Sequence, residues 1–246
     1  MQIGLIGSGN MARAMVRGWG DPVLCTDALP ERAAALAAEV GGEAVASNAE
    51  LAQRADLVVL CHKPPQLAAV AAEIAPHAKA VASILGGVPL SDLQAAYPDT
   101  TVYRFMPSTP VEVRQGAVIH ALEGAGDADV LALFARLGTL VSLPESQVDV
   151  AMGLMSNTPA YWALLAEAQI DAGIRRGLPA DQAAELVVQT MAGTAALLRK
   201  RDFDTLAVRR EVTSPGGSTA RGLDALERGG VRAAFSDAID AVLGGR

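Results

Sequence analysis

Aromatic residues make up only 4% of this 246-residue chain, and it holds just two cysteines and three histidines. So few rings argue against a platform on which single-stranded nucleic acid could stack. No cluster of lysine and arginine stands out, and the formal net charge is −7. A nucleic-acid or anionic-membrane surface is therefore not expected. No apolar run reaches the roughly 18 to 20 residues that a membrane span needs. No group of His, Cys and carboxylates stands at metal-ligand spacing, so no metal site is expected. Cys25 and Cys61 each end a short apolar run and read as reduced structural thiols rather than a disulfide. The opening MQIGLIGSGNMA lacks a basic n-region and turns to glycine within a few residues. It does not read as a secretory signal, and a cytoplasmic protein is the expectation.

What is present is 51% hydrophobic residues, enough for a packed globular fold. In the first half, short apolar runs alternate with helical spacing. QIGLIG, PVLCTD, ADLVVLC, AVASILGG, TVYRFMPST and GAVIHAL read as strands. NMARAMVRGWG, PERAAALAAEVG, PPQLAAVAAEIAPH and DADVLALFARLG read as helices. That alternation predicts an α/β fold with a mostly parallel, doubly wound sheet. Near Leu143 the pattern changes, and long helical segments follow, with an interruption expected around Pro159. The expected division is a dinucleotide-binding domain over 1–143 and an all-helical domain over 144–246. The alanine, valine and leucine faces of the second half would leave exposed patches on a monomer, which predicts a homo-oligomer built through it.

GLIGSGNMA places Gly7 and Gly9 between the first strand and the first helix, with Ala12 in place of a third glycine. Gly7 permits a tight turn, Gly9 lets the backbone approach a pyrophosphate, and the helix start offers free N–H groups. Asp27 ends the second strand about 20 residues on, where an acid bonds ribose hydroxyls. Dinucleotide binding is the expectation. A carboxylate there repels a 2′-phosphate, so NADH is expected to serve at least as well as NADPH, with Arg32 nearby in sequence. Lys63, after the third strand, reads equally as a phosphate or ribose contact and as a solvated cation. His62 has no acid nearby to orient it, and a packing or cofactor-edge role is favoured.

The helical half is broken by EVTSPGGSTARGLDALERGG. Pro215 pre-sets a turn, Gly216 and Gly217 allow unusual backbone, and Ser218 and Thr219 suit a helix N-cap. A loop plus helix start of this kind suits a carboxylate, and Ser214, Ser218 and Thr219 add hydroxyls. A plain capped turn between helices reads almost as well.

This segment closely resembles the signature of the pyrroline-5-carboxylate reductase family. IGLIGSGNMARAMVRG, VVLCHKPPQ, YRFMPSTPVEVRQGA and TPAYWALLAEAQIDAGIRRGLP resemble that family too, in the same order. The resemblance implies NADPH- or NADH-dependent reduction of 1-pyrroline-5-carboxylate to L-proline, the last step of proline biosynthesis. It also implies a Rossmann domain followed by a helical dimerisation domain. Dimers, in some members stacked into a decamer, would form each active site between one subunit's cofactor domain and its partner's helices. By matching motifs, Gly7, Ser8, Gly9, Asn10 and Met11 would line the pyrophosphate, and Asn48 would lie near the adenosine. Cys61, Lys63 and Pro64 would run beside the cofactor, with Met106 and Pro107 approaching the nicotinamide. Ser214, Gly216, Gly217, Ser218 and Thr219 would hold the substrate carboxylate, and Thr219 would bond the ring nitrogen. The sequence departs from the family at Ser108, where asparagine is usual. It departs again at Met155 to Thr158, where small residues are usual, and at His62, where a small apolar residue is common.

Hydride transfer to a C=N carbon needs a protonated nitrogen but no strong base or nucleophile, so positioning and charge complementarity would carry the rate. Two other readings stand beside this one. The first is a related imine or keto-acid reductase, although Lys200, the only lysine past the boundary, sits in a solvated RKR run. The second is a non-catalytic paralogue that binds nucleotide or proline and regulates a partner.

Overall fold

The structure is a computed structural model that describes residues 1–244. The chain divides into two compact units, one over Met1–Pro159 and one from Ala160 onward.

The first unit is built on an eight-stranded sheet in the order β3-β2-β1-β4-β5-β6-β7-β8. The strands are β1 (Ile3–Ile6), β2 (Leu24–Thr26), β3 (Glu43–Ala44), β4 (Leu57–Leu60), β5 (Ala80–Ser83), β6 (Thr101–Pro107), β7 (Gly116–Ala121) and β8 (Gly138–Leu143). Every neighbouring pair runs parallel except β6 and β7. The antiparallel pair follows from its connection. The connection Ser108 to Gln115, built around the 3-10 turn Thr109–Val113, is too short for the crossover that a parallel return requires. Each strand of the central β1 and β4 is buried along its whole length, as expected when helices cover both faces.

Seven helices belong to this unit: α1 (Asn10–Trp19), α2 (Pro30–Glu39), α3 (Asn48–Arg54), α4 (Leu67–Ile74), α5 (Leu90–Ala96), α6 (Ala128–Ala135) and α7 (Glu145–Met155). One face of the sheet packs Leu5, Met15, Trp19, Phe105 and Phe134; the other packs Leu51, Leu60, Ile74, Leu93 and Tyr97. The order β3-β2-β1-β4-β5-β6 is that of a Rossmann sheet, and its crevice lies where the strand order reverses, between β1 and β4. The expected α/β fold is therefore present. Four elements were not legible: β3 and β8 among the strands, α3 and α5 among the helices. β3 has two residues, both exposed, and β8 is an edge strand with no fully buried residue. Neither has the apolar run that marks an inner strand.

Helix α7 lies past the change of periodicity at residue 143, yet it packs in the first unit. Val148 is buried with Met106, Ile119 and Ala121. Its first residue is tied down polarly as well. Arg104, buried on β6, donates to Glu145 and, at 3.4 Å, to Asp149. The same Glu145 carboxylate accepts the Leu90 N–H (2.9 Å), and the Glu145 N–H donates to Glu123 (2.8 Å).

The second unit holds α8 (Thr158–Ile174), α9 (Ala180–Lys200), α10 (Thr205–Glu211), α11 (Ser218–Arg228) and α12 (Val231–Leu243). The expected interruption falls at Ser156 and Asn157, and Pro159 sits in the first turn of α8, where its missing N–H costs nothing. Among the described residues of this unit only Ala183 and Val208 are buried. Trp162, Leu164, Leu186, Val188 and Leu226 are each at least half exposed.

Candidate functional site

The chain from β1 into α1 turns at Gly7, whose φ of +99° is left-handed. A Cβ there would stand 2.7 Å from the backbone of Cys61. Glycine is needed both for the conformation and for the close approach of the β4 loop. Gly9 is different: a Cβ would meet nothing within 4 Å. Its missing side chain therefore leaves open space over the start of α1. The first helical bond there is from Arg13 to the Gly9 carbonyl (3.0 Å). The N–H groups of Asn10, Met11 and Ala12 thus have no helical acceptor.

This turn is one wall of a cleft of about 1040 Å³. Of the sequence-predicted cofactor residues, Gly7, Gly9, Asp27, Asn48, Cys61 and Lys63 line it. Ser8 does not. It is 1% exposed; its hydroxyl donates to the Thr26 carbonyl (3.3 Å) and its N–H donates to Asp27 (2.7 Å). Asn10 is exposed and opens α1, and Met11 packs partly into the core. Pro64 starts a short 3-10 turn and is exposed. Met106 and Pro107, at the end of β6, are buried and stand apart from the cleft lining.

Sequence reasoning missed Glu73 in the cleft. Glu73 on α4 lines it and accepts from Asn48 Nδ2 (2.7 Å), while Asn48 Oδ1 accepts from the Thr26 hydroxyl (2.6 Å). His62 lines it as well. Its Nδ1 faces the Lys63 carbonyl at 2.9 Å, and a carbonyl can only accept, so Nδ1 carries the proton. Burial holds the His62 pKa below the usual histidine value, and its Nε2 is buried without a partner. Burial thus favours the neutral ring at neutral pH. Burial pushes the Cys25 thiol up to about 12 and raises that of Cys61 as well, so neither is a nucleophile at neutral pH. Ser108 is fixed by the sheet: its hydroxyl donates to the Ala117 carbonyl (3.1 Å) and accepts the Ala117 N–H (2.9 Å).

These residues fit a dinucleotide: a glycine turn with open space, three amides without helical acceptors, and an acid at the end of β2. Among the described residues no group of His, Cys, Asp and Glu could hold a metal.

In the second unit the predicted loop lies between α10 and α11. The N-cap of α11 is Gly217, not Ser218 or Thr219, which occupy its first two helical positions. Gly216 has φ +67°, a left-handed turn that reverses the chain, and Gly217 then enters the helix in extended conformation. A Cβ on Gly217 would lie 2.4 Å from the Ser214 hydroxyl. Gly216 thus suits the left-handed turn, while a side chain at Gly217 would displace the Ser214 hydroxyl and crowd the Ser214 carbonyl at 3.1 Å. Arg221 donates to both the Gly217 carbonyl (backbone, 3.2 Å) and the Gly216 carbonyl (guanidinium, 2.7 Å). The hydroxyls of Ser214, Ser218 and Thr219 have no partner among the described residues. The expected helix end is present: α11 stops at Arg228, and Gly230 is left-handed at φ +76°.

Residues 145–244 match the family described as pyrroline-5-carboxylate reductase dimerisation, and residues 2–87 match the NADP oxidoreductase, coenzyme F420-dependent family. The chain is 37% identical over 200 residues to pyrroline-5-carboxylate reductase of Synechocystis, covering 79% of this chain and 75% of that protein. It is 34% identical over 253 residues to the Thermus thermophilus pyrroline-5-carboxylate reductase, covering 98% and 95%. Among solved structures, pyrroline carboxylate reductase of Plasmodium falciparum with NADP bound superposes with a TM-score of 0.87 at 26% identity, over 98% of this chain and 95% of that one.

Proposed function

The chain belongs to the pyrroline-5-carboxylate reductase family, and from that premise we propose how its own residues carry out the reaction. It is an NAD(P)-dependent oxidoreductase that reduces 1-pyrroline-5-carboxylate to L-proline, the closing step of proline biosynthesis. It forms homo-oligomers through the helical region that matches the family's dimerisation segment. The exposed Trp162, Leu164, Leu186 and Val188 are what such an interface would cover. A dimer is the building block of this reading, and a decamer its larger form. No helix among the described residues is long and apolar enough to cross a membrane, and two free thiols suit a cytoplasmic enzyme.

The bound dihydronicotinamide supplies a hydride to the carbon of the substrate's C=N bond. The protein's task is to hold and orient. Gly9 leaves room above the free amides of α1, which hold the pyrophosphate. Asn10 and Met11 supply two of those amides, while Cys61, Lys63 and Pro64 form the loop alongside. Met106 and Pro107, at the end of β6, would approach the nicotinamide. At the other site, the amides of Ser218, Thr219 and Ala220 lack helical acceptors and face a carboxylate well. The Thr219 hydroxyl, free within its unit, bonds the ring nitrogen. An alcohol is a poor acid, so Thr219 orients or relays the proton rather than supplying it alone. The observation that carries this reading is the start of α11, where three amides and three hydroxyls stand unpartnered beside a glycine pair.

The test follows NADH and NADPH oxidation with 1-pyrroline-5-carboxylate and with a panel of other cyclic imines and keto acids. Turnover is expected with the pyrroline and little with the rest. A keto acid as the best substrate would favour a related reductase, and no oxidation with any would favour a binding protein.

A further inference from the structure

Resting on the reading of the first unit's cleft as a dinucleotide site, we propose that two carboxylates, Asp27 and Glu73, make it select the unphosphorylated cofactor, NADH, over NADPH. Asp27 is not a mobile surface acid. One of its oxygens accepts the Ser8 N–H at 2.7 Å and the other accepts the Leu29 N–H at 2.9 Å. These two amides come from the β1–α1 turn and from the β2–α2 connection, so the carboxylate is pinned between the segments that frame the ribose. Each oxygen keeps a lone pair to accept from a ribose hydroxyl. Ser8 thus acts through Asp27 as a positioning residue, which explains why a predicted pyrophosphate residue presents nothing to the cleft.

Glu73, on α4, lines the same cleft. It is held by Asn48, which is held in turn by Thr26, the residue before Asp27. The hydrogen-bonded run from Glu73 ends at Thr26, next to Asp27 in the chain, so both acids are held at the cleft lining by separate sets of bonds. A 2′-phosphate brings about two negative charges against two carboxylates that cannot swing away without breaking these bonds. The cleft's cations are Arg32 and Lys63. Arg32 lies on α2 and has no ion-pair partner among the described residues, so it is the one group positioned to favour the phosphate. Lys63 follows β4, and as a pyrophosphate contact it would favour both cofactors equally.

The deciding measurement is the affinity of the full-length protein for NADH and for NADPH, read from the fluorescence of the dinucleotide with no substrate present. The wild type is expected to bind NADH at least about tenfold more tightly. Asp27→Ser should shift the ratio toward NADPH by about tenfold or more, and Glu73→Gln, which keeps an acceptor for Asn48, by a smaller factor in the same direction. Arg32→Ala should weaken NADPH only. Tighter binding of NADPH by the wild type, or a ratio unmoved by Asp27→Ser, overturns the proposal. So does a lack of binding of either dinucleotide, which also removes the cleft reading. Because no substrate is present, a failure of the pyrroline chemistry leaves these outcomes untouched.

Discussion

The two units of this chain bury their apolar residues very differently. In the first, both faces of the sheet are covered, and Trp19, Leu5, Phe105, Leu51, Ile74 and Leu93 have 2% or less of their surface exposed. In the second, only Ala183 and Val208 are buried among the described residues, although its helices carry many leucines and valines. A β-sheet wrapped by helices can bury its hydrophobic residues within one chain. The five helices of the second unit leave much of theirs exposed, and this region matches the family's dimerisation segment. The same contrast extends to function. The cleft of the first unit combines pinned side chains, Asp27, Asn48 and Glu73, with free amides at the start of α1, whereas at the loop of the second both the amides and the hydroxyls of Ser214, Ser218 and Thr219 lack partners.

The sharpest way to break the comparison is to charge the exposed apolar surface of the second unit. Leu164→Glu combined with Leu186→Glu is expected to weaken self-association by hundredfold or more, since burying unpaired charges costs several kcal/mol. Light scattering coupled to size exclusion measures it, and NAD(P)H binding by the first unit should persist. An unchanged oligomer would place the interface elsewhere.

A smaller effect tests the unpartnered groups. Thr219→Ala should lower kcat by roughly 10 to 1000 fold, with the dinucleotide affinity unchanged. Turnover near that of the wild type removes Thr219 from the mechanism.

The smallest effects separate two glycines in the cleft wall. Gly7→Ala forces a Cβ against the Cys61 backbone at a left-handed φ and should cost about 1–3 kcal/mol of stability. Gly9→Ala meets no protein atom, so stability should change by no more than about 0.5 kcal/mol. Its dinucleotide affinity should nevertheless fall, because the added methyl occupies the space left for the ligand. Thermal unfolding and a binding titration on the same two samples read both. Equal behaviour of the two variants would sink the distinction.

Much of this molecule was legible beforehand, and the reasons are local. Strands β1 and β4 are buried on both faces, so they appear as short unbroken apolar runs. The glycine turn carries its own steric signature. The family resemblance at TSPGGST rests on a run whose backbone needs are strict. What escaped reading depends on partners distant in sequence. Glu73 is an ordinary polar residue until α3 and α4 come together and Asn48 meets it. The N-cap of α11 was expected at Ser218 or Thr219, yet Gly217 takes that position. The left-handed turn at Gly216 brings the chain into the helix one residue earlier than side-chain preference suggests.

The sequence by itself determined the alternation of strand and helix, the glycine turn, the switch to helices near residue 143 and the family. Each of these is written in near-neighbour spacing, which the backbone converts directly into local structure. Only the tertiary structure decided that Ser8 turns inward to pin Asp27, that His62 is held neutral with Nδ1 protonated, and that α7 packs with the sheet it follows. Those outcomes depend on which donor meets which acceptor after segments tens of residues apart are brought together. Spacing along the chain does not encode such pairings.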